Sequence, residues 1–327
     1  MTKKIKRIGV FTSGGDAPGM NAAVRAVVRT SIYNKLSVFG ISHGYQGMIA
    51  NEIKKLGKPD VANIIHRGGT VLKTSRSEDF RTKAGRKKAY KNLVKHKIQA
   101  LVAIGGNGTY TGAKVFSEEY DIPIIGVPGT IDNDIYGTDF TIGFDTAINT
   151  AIEAIDRIRD TADSHNRLFF IEVMGRHAGF IALNTGIGSG ASYTLSSEVK
   201  TDIKEIVSFL ENSKTRNKLF NLIIVAEGNK SGNATQIAKK IKKINPNLDS
   251  RVLILGHLQR GGSPSASDRV LASRFGYAAV ESLVSGAKNM AVGLINNDIV
   301  LTEFEYAIKE SKAIQDDLIH MARILAM

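Results

Sequence analysis

The sequence predicts an α/β protein in which helices cover both faces of mainly parallel sheets. Three observations carry this expectation. Short β-rich apolar runs alternate with helical patterns along almost the whole chain, and glycine-rich segments follow the runs. Several runs, VAIGG and LIIVAEG among them, are continuously apolar, as strands buried on both faces should be. At 327 residues the chain is long enough for two domains of about 150 residues each.

In chain order, RIGVFT (7–12) is the first expected strand, and a helix over 20–33 leads to the strand SVFGI (37–41). The basic stretch 82–96 reads as a helix before the strand at 100–104, and a helix over 109–119 precedes the strand at 123–127. A long helix over 145–161 is followed by LFFIEV (168–173), a helix over 201–212 and the strand 219–226. Helix 234–244, strand 251–255, helix 265–285, strand 290–295 and a final helix over 306–325 complete the pattern. A domain boundary is expected near 138–145, after the loop TIDNDIYGTDFTIGF. No repeat of 20–50 residues is visible.

Composition removes several function classes. Apolar residues make up 43% and charged residues 23%, which excludes disordered and fibrous classes. There is no cysteine, so disulfides, zinc-thiolate sites and a cysteine nucleophile are ruled out. The longest apolar runs are far too short to span a bilayer, and no apolar core follows the basic start MTKKIKRIGVF. A soluble, cytoplasmic protein with no membrane partner is expected.

The net charge is +13, and residues 52–97 alone hold fourteen basic and four acidic side chains. Such a field favours anionic partners. Most of Lys83 to Lys97 is the solvated face of one helix on the plainest reading. Tryptophan is absent and no nucleic-acid recognition motif is present, so phosphorylated small molecules fit better than a specific nucleic acid.

The loops carry the chemistry. TSGGDAPG (12–19), GGNGTYTG (105–112), PGTIDND (128–134), MGRHAG (174–179) and HLQRGGSP (257–264) each follow an expected strand, where ligands sit in such folds. Gly14-Gly15 and Gly105-Gly106-Asn107-Gly108 could be ordinary turns; at helix starts they also let backbone N–H groups approach phosphate. Gly14 to Gly19 has P-loop glycine spacing, but Met20 stands where lysine is required, and the protein-kinase motifs are missing as well. Asp132 and Asp134 could form a polar turn or supply a base for a hydroxyl and a carboxylate near metal or phosphate. Arg167, Arg176, Arg251 and Arg260, beside strand ends and joined by His257, suggest a phosphosugar site, because arginine forks match phosphate. Histidines 43, 66, 96, 165 and 177 read as structural or solvated.

TSGGDAPGMNAAVR, GGNGT, PGTIDND, EVMGR and HLQRGGSP, in this order and spacing, closely resemble bacterial ATP-dependent 6-phosphofructokinases over nearly the whole chain. The resemblance implies two Rossmann-like three-layer α/β/α domains: an ATP-binding domain at 1–141 plus 257–305, and a fructose 6-phosphate-binding domain at 142–256 plus 306–327. It implies a cytoplasmic homotetramer that transfers the γ-phosphoryl of MgATP to the 1-hydroxyl of fructose 6-phosphate. Asp132 matches the base, with Thr130 and Asp134 beside it, and Arg176 and Arg76 match the cations on the transferring phosphoryl. Thr130, Ile131, Asp132, Met174, Gly175, Arg176, Glu227, His257, Leu258, Gln259 and Arg260 match the sugar-phosphate pocket. Arg167 and Arg251 match arginines reaching in from a neighbouring subunit. Gly15, Arg76, Ser77, Gly106, Asn107, Gly108 and Thr109 match the ATP site. Arg25, Arg29, Lys58, Arg159, Arg216 and Lys218 match a site for ADP or phosphoenolpyruvate as effector. Pyrophosphate-dependent members tend to carry Asp at the position of Gly108 and Lys at that of Gly129, so this chain resembles the ATP type.

Three departures stand out. Asn107 replaces the family's magnesium-associated aspartate, so weaker magnesium use is expected. Ser192 sits where many members have an acidic residue, and Lys58 replaces an effector-site arginine, which loses bidentate phosphate geometry. Asn107 alone motivates an alternative, a catalytically weakened regulatory or sugar-phosphate-binding subunit. An NAD or lipid kinase would share a GGDG-like loop but leaves PGTIDND and HLQRGGSP unexplained.

Overall fold

The computed structural model describes residues 5–164, 167–215 and 221–326. In chain order the elements are β1 (Arg7–Thr12), α1 (Met20–Tyr33), β2 (Ser37–Ile41), α2 (Gly44–Ala50), β3 (Ile53–Leu56), α3 (Lys83–Lys95), β4 (Ala100–Gly105), α4 (Asn107–Tyr120), β5 (Ile124–Pro128) and α5 (Phe144–Ser164). There follow β6 (Leu168–Val173), α6 (Phe180–Gly188), β7 (Tyr193–Leu195), α7 (Ile203–Thr215), β8 (Asn221–Ala226), α8 (Ala234–Ile244), β9 (Ser250–Ile254) and α9 (Ala266–Val284). The chain closes with β10 (Met290–Ile295), β11 (Asp298–Glu303), α10 (Phe304–Lys309) and α11 (Asp316–Leu325).

These elements form two compact units: Met1–Ile131 with Ile135–Thr146 and Arg260–Lys312, and Asp132–Asp134 with Ala147–Gln259 and Ala313–Met327. In the first, a seven-stranded sheet runs β11-β10-β5-β4-β1-β2-β3. Its central pairs are parallel, while β3 and β11 add antiparallel edges. Continuous burial of β4 and β5 follows from helices on both faces of the sheet. One core cluster joins Phe11, Tyr45, Phe80, Tyr110, Phe116 and Phe304. In the second unit a four-stranded parallel sheet runs β7-β8-β6-β9, with Phe170, Ile206, Ile223 and Ile237 in its core.

The expected α/β architecture is thus present, with corrections. The single helix expected over 306–325 is two helices, because Glu310 takes extended geometry (φ −78°, ψ 142°) after α10. The first unit ends at Lys312, whose Nζ donates to the Asp139 carbonyl at 2.6 Å, and α11 belongs to the second unit. Short elements β3, β7, β11, α2 and α6 carry too little periodic signal to have been expected. The start of the strand expected over 219–226, like His165, lies outside the described residues.

Candidate active site

In the seven-stranded sheet the register sets Thr12 beside Ile104 and Gly105 beside Pro128. β1, β4 and β5 therefore end level, and TSGGDAPG, GGNGT and PGTIDND leave from one edge. β1 is also where the strand order reverses, with β2 on one side and β4 on the other. Such switch points open a crevice above the strand ends.

Hydrogen bonds stitch these loops together. The Ser13 N–H donates to the Ile104 carbonyl at 3.0 Å, the Gly129 N–H to the Gly105 carbonyl at 3.1 Å, and Thr109 Oγ1 to the Ser13 carbonyl at 3.1 Å. A Cβ at Gly105 would stand 2.3 Å from Thr109 Oγ1 and 2.5 Å from the Ser13 carbonyl, so only glycine permits this approach. One residue on, Gly106 leads into α4, whose first turn presents Asn107 and an exposed Gly108. The start of a helix offers N–H groups and a positive dipole end to phosphate.

The segment carrying Arg76 and Ser77 is tied to the same edge. Thr12 Oγ1 donates to the Lys73 carbonyl at 2.8 Å and Thr74 Oγ1 to the Gly14 carbonyl at 2.7 Å. Ser77 Oγ donates to Gln46 Oε1 at 2.6 Å, leaving Arg76 exposed. Tyr45 stacks on Phe80 with centroids 4.0 Å apart and donates its hydroxyl to the Thr109 carbonyl at 2.6 Å. Complete burial pushes the Tyr45 hydroxyl far above the usual tyrosine range. Arg260 lies against Gly15, where a Cβ would meet its Nη1 at 2.6 Å, and donates to the Asp16 carbonyl at 3.1 Å. The residues matched separately to the ATP and sugar-phosphate pockets, Gly15 and Arg260, are therefore neighbours.

Sequence reasoning missed Tyr45, Gln46 and Asn21. Asn21 Nδ2 donates to the Arg67 and Gly68 carbonyls while Oδ1 accepts from the Val71 N–H at 2.7 Å. An amide on the mostly apolar buried face of α1 was its only signal. Thr130, Ile131 and Asp132 are buried, and Asp134 is half-buried.

In the second unit Val173 pairs with Ala226 and Glu172 with Ile254, so β6, β8 and β9 also end together. Glu227 Oε1 accepts from the Arg176 N–H at 2.7 Å, and the Glu227 N–H donates to the Val173 carbonyl at 3.0 Å. Arg176 takes a left-handed conformation (φ 56°). Fully buried Gln259 accepts from the Met174 N–H at 2.8 Å. Met174 and Gly175 are buried, whereas Arg176, Glu227, His257 and Leu258 are exposed.

Arg167 and Arg251 stand elsewhere. They flank the amino ends of β6 and β9 and converge on Asp249, at 3.8 and 2.8 Å, across the sheet from Met174, Arg176 and Glu227. Strand-end arginines in this unit thus divide between opposite ends of one sheet and do not form a single cluster.

Among the effector candidates, Arg25 and Arg29 lie one turn apart on α1, and burial together with the Arg29 charge lowers the Arg25 pKa. Lys58 is exposed, Ser192 is buried, and Arg159 donates to the Ser189 carbonyl. Arg216 and Lys218 lie outside the described residues.

No three His, Asp or Glu side chains gather as a metal cage among the described residues. A magnesium ion held chiefly by nucleotide phosphates needs only one or two protein oxygens. The Asn107 carboxamide oxygen, in the first turn of α4, is of that hard-oxygen type, so the residue present fits the ion.

The phosphofructokinase family model matches residues 7–283. The chain belongs to the phosphofructokinase family. It is 54% identical over 323 residues to ATP-dependent 6-phosphofructokinase 1 of Thermus thermophilus, covering 99% of this chain and 100% of that protein. Against ATP-dependent 6-phosphofructokinase 2 of Bacteroides thetaiotaomicron it is 50% identical over 323 residues, 99% of both chains. The phosphofructokinase structure from Saccharomyces cerevisiae superposes with a TM-score of 0.90 at 36% identity, over 98% of this chain and 48% of that one. This phosphofructokinase thus spans about half the length of the yeast chain. A pyrophosphate-dependent phosphofructokinase from Marinobacter aquaeolei shares the fold, with a TM-score of 0.85 at 22% identity over 96% of this chain and 86% of that one. The family read from five sequence motifs is borne out. No described helix is long and apolar enough to cross a membrane.

Proposed function

We propose that this phosphofructokinase is a glycolytic kinase that transfers the γ-phosphoryl of ATP to the 1-hydroxyl of fructose 6-phosphate, giving fructose 1,6-bisphosphate and ADP. The observation that supports the reading is the level ending of β1, β4 and β5, which brings TSGGDAPG, GGNGT and PGTIDND to one edge of the sheet in a chain 50–54% identical to bacterial ATP-dependent enzymes. Asp132 takes the proton of the 1-hydroxyl as its oxygen attacks the γ-phosphorus, and the bond from that phosphorus to the β–γ bridging oxygen breaks, releasing ADP. Arg76 and Arg176 carry guanidinium charge to the transferring phosphoryl. Gly15, Ser77 and Gly106 to Thr109 hold the nucleotide.

Met174, Gly175, Glu227 and His257 to Arg260 hold the sugar phosphate, with Arg167 and Arg251 supplied by a neighbouring copy in a homotetramer. Their place at the opposite end of the β6 sheet from Met174 and Glu227 supports service to another chain. Magnesium, carried with the nucleotide, would supply charge neutralisation on the phosphates; Asn107 would hold it. Arg25, Arg29, Lys58, Arg159, Arg216 and Lys218 serve an anionic effector, ADP or phosphoenolpyruvate. We assign the enzyme to the cytoplasm, where its sugar phosphate and ATP are found.

The non-catalytic alternative rested on Asn107 alone, and full-length similarity to named kinases weighs against it. Phosphorylation of fructose 6-phosphate with ATP or pyrophosphate as donor, across a magnesium titration, tests the reading. ATP-dependent product that vanishes in Asp132→Asn is expected; saturable sugar-phosphate binding without product from either donor would overturn it.

A further inference from the structure

Asp268 is a buried carboxylate that the reaction does not consume. It lies in the first turn of α9, is 1% exposed, and has no cation among its partners. Instead Oδ1 accepts from the Gly143 N–H at 2.7 Å, and Oδ2 accepts from the Thr146 N–H at 2.8 Å and from Thr146 Oγ1 at 2.5 Å. Its own N–H is capped by Ser265 Oγ at 3.1 Å, which fixes the carboxylate on the helix. Burial pushes the Asp268 carboxyl above the usual range, and its three donors pull against that rise. Burying a carboxylate without a counter-charge is costly, so three donors on two oxygens form an uncommonly specific restraint.

The segment it restrains is bonded to residues 128–130, which lead into Asp132. Thr141 Oγ1 donates to the Thr130 carbonyl at 2.6 Å, and the Ile142 N–H donates to the Pro128 carbonyl at 2.9 Å. Ile142 also forms a parallel bridge with Gly129. Gly143 closes the packing: its φ is 99°, and a Cβ there would stand 2.7 Å from Ala17 Cβ and 3.2 Å from Ile131 Cγ2. Residues 141–146 are therefore a strap, bonded at one end to two carbonyls of the loop and at the other to Asp268 of α9 and to its cap Ser265, which donates its N–H to Thr146 Oγ1 at 3.0 Å and its hydroxyl to Asp145 Oδ2 at 2.5 Å.

We propose that Asp268 is a positioning residue for phosphoryl transfer, holding through the strap the Thr130 backbone from which Asp132 follows. The proposal rests on the reading of Asp132 as the base, which follows Thr130 by two residues. A carboxylate anchored to a rigid helix limits drift of the base, and misplacement by about 1 Å can cost as much as 10²-fold in rate. Asparagine at this position would keep one acceptor oxygen but turn an N–H₂ toward an N–H donor, breaking one end of the strap without changing its size.

The test is a double-mutant cycle on the intact enzyme with Asp268→Asn, Thr141→Val and both together. At temperatures well below unfolding, Asp268→Asn is expected to lower kcat by roughly tenfold to a hundredfold with the KM for ATP changed less than about twofold. Thr141→Val should lower kcat less, and the double variant should be no slower than Asp268→Asn, because both act through one strap. Amide exchange at 129–134 should quicken in Asp268→Asn. Unchanged kcat in folded Asp268→Asn, or effects of the two substitutions that multiply, would overturn the proposal. If Asp268→Asn does not fold, Thr146→Val takes its place in the cycle with the same two criteria. Asp132→Asn run alongside separates the failures: full activity there removes the base assignment, whereas an inactive Asp132→Asn with a wild-type Asp268→Asn removes the strap alone.

Discussion

Arg86 grips Glu119 with two parallel hydrogen bonds, Nε to Oε2 at 2.7 Å and Nη2 to Oε1 at 2.6 Å, and gives its remaining fork to the Phe80 and Arg81 carbonyls at 3.0 and 2.7 Å. One guanidinium thus locks α3 to α4 and closes the end of the segment that presents Arg76 and Ser77. Arg86→Ala should cost about 2–3 kcal/mol of stability, since charged hydrogen bonds lose a buried donor, and should raise the KM for ATP more than that for sugar phosphate. Urea unfolding and two-substrate kinetics check both halves.

The same pair sets an acid dependence. Hydrogen bonds from Arg86 hold the Glu119 carboxyl below its ordinary range. A carboxyl depressed on folding contributes stability that is full above its unfolded pKa, about 4.3, and is lost as pH falls through its lower folded value. The stability gap between wild type and Glu119→Gln should therefore shrink as pH falls below about 4; a gap constant from pH 7 to 3 would show that the ion pair contributes nothing.

Donor choice can be probed at Gly108. A Cβ there meets nothing within 4 Å, so the chain tolerates a side chain and glycine leaves the space open for a ligand. Gly108→Asp places a carboxylate in the first turn of α4, which favours the helix by about 0.3–1 kcal/mol, and aims the same charge at phosphate. The melting temperature should hold or rise while the KM for ATP rises by roughly tenfold, as a loss of about 1.4 kcal/mol in binding requires. Pyrophosphate turnover in the variant would show that space at this position selects the donor.

Asn107→Asp should lower the magnesium concentration needed for half-maximal ATP binding, read by calorimetry without sugar phosphate, because a carboxylate adds charge to a hard-oxygen ligand. Equal magnesium dependence in both proteins would place the ion entirely on the nucleotide.

Gly228 has no tolerance at all. A Cβ there would stand 1.8 Å from the Arg176 carbonyl, so the loops after β6 and β8 pack together only around glycine. Gly228→Ala should weaken fructose 6-phosphate binding by at least about tenfold. ATP binding, which rests on loops of the first unit, should persist; loss of both together would mean the substitution unfolds the protein.

The strand-end loops were legible because glycine and arginine leave a spacing that follows each apolar run. What escaped was set by distant partners. Arg86 reads as one more cation in a lysine-rich helix, and nothing local shows that Glu119, 33 positions on, removes it from solvent. Asp268 looks like an ordinary first-turn acid until Gly143 and Thr146 are seen on its oxygens. The break before α11 was hidden because ESKAIQ contains no glycine or proline; it falls where the chain passes from one unit to the other after Lys312. Arg167 and Arg251 read as members of one arginine set, since sequence does not show which end of a strand faces which ligand.

The antiparallel β3 at the margin of the large sheet gives the basic run a second meaning. Lys54 and Lys55, on opposite faces of a strand four residues long, are both exposed. An unpaired margin invites another chain to add a strand, and short, lysine-bearing margins deter it. Part of the positive charge that reads as attraction for anions thus lies on a sheet margin, where exposed lysines disfavour the addition of another strand.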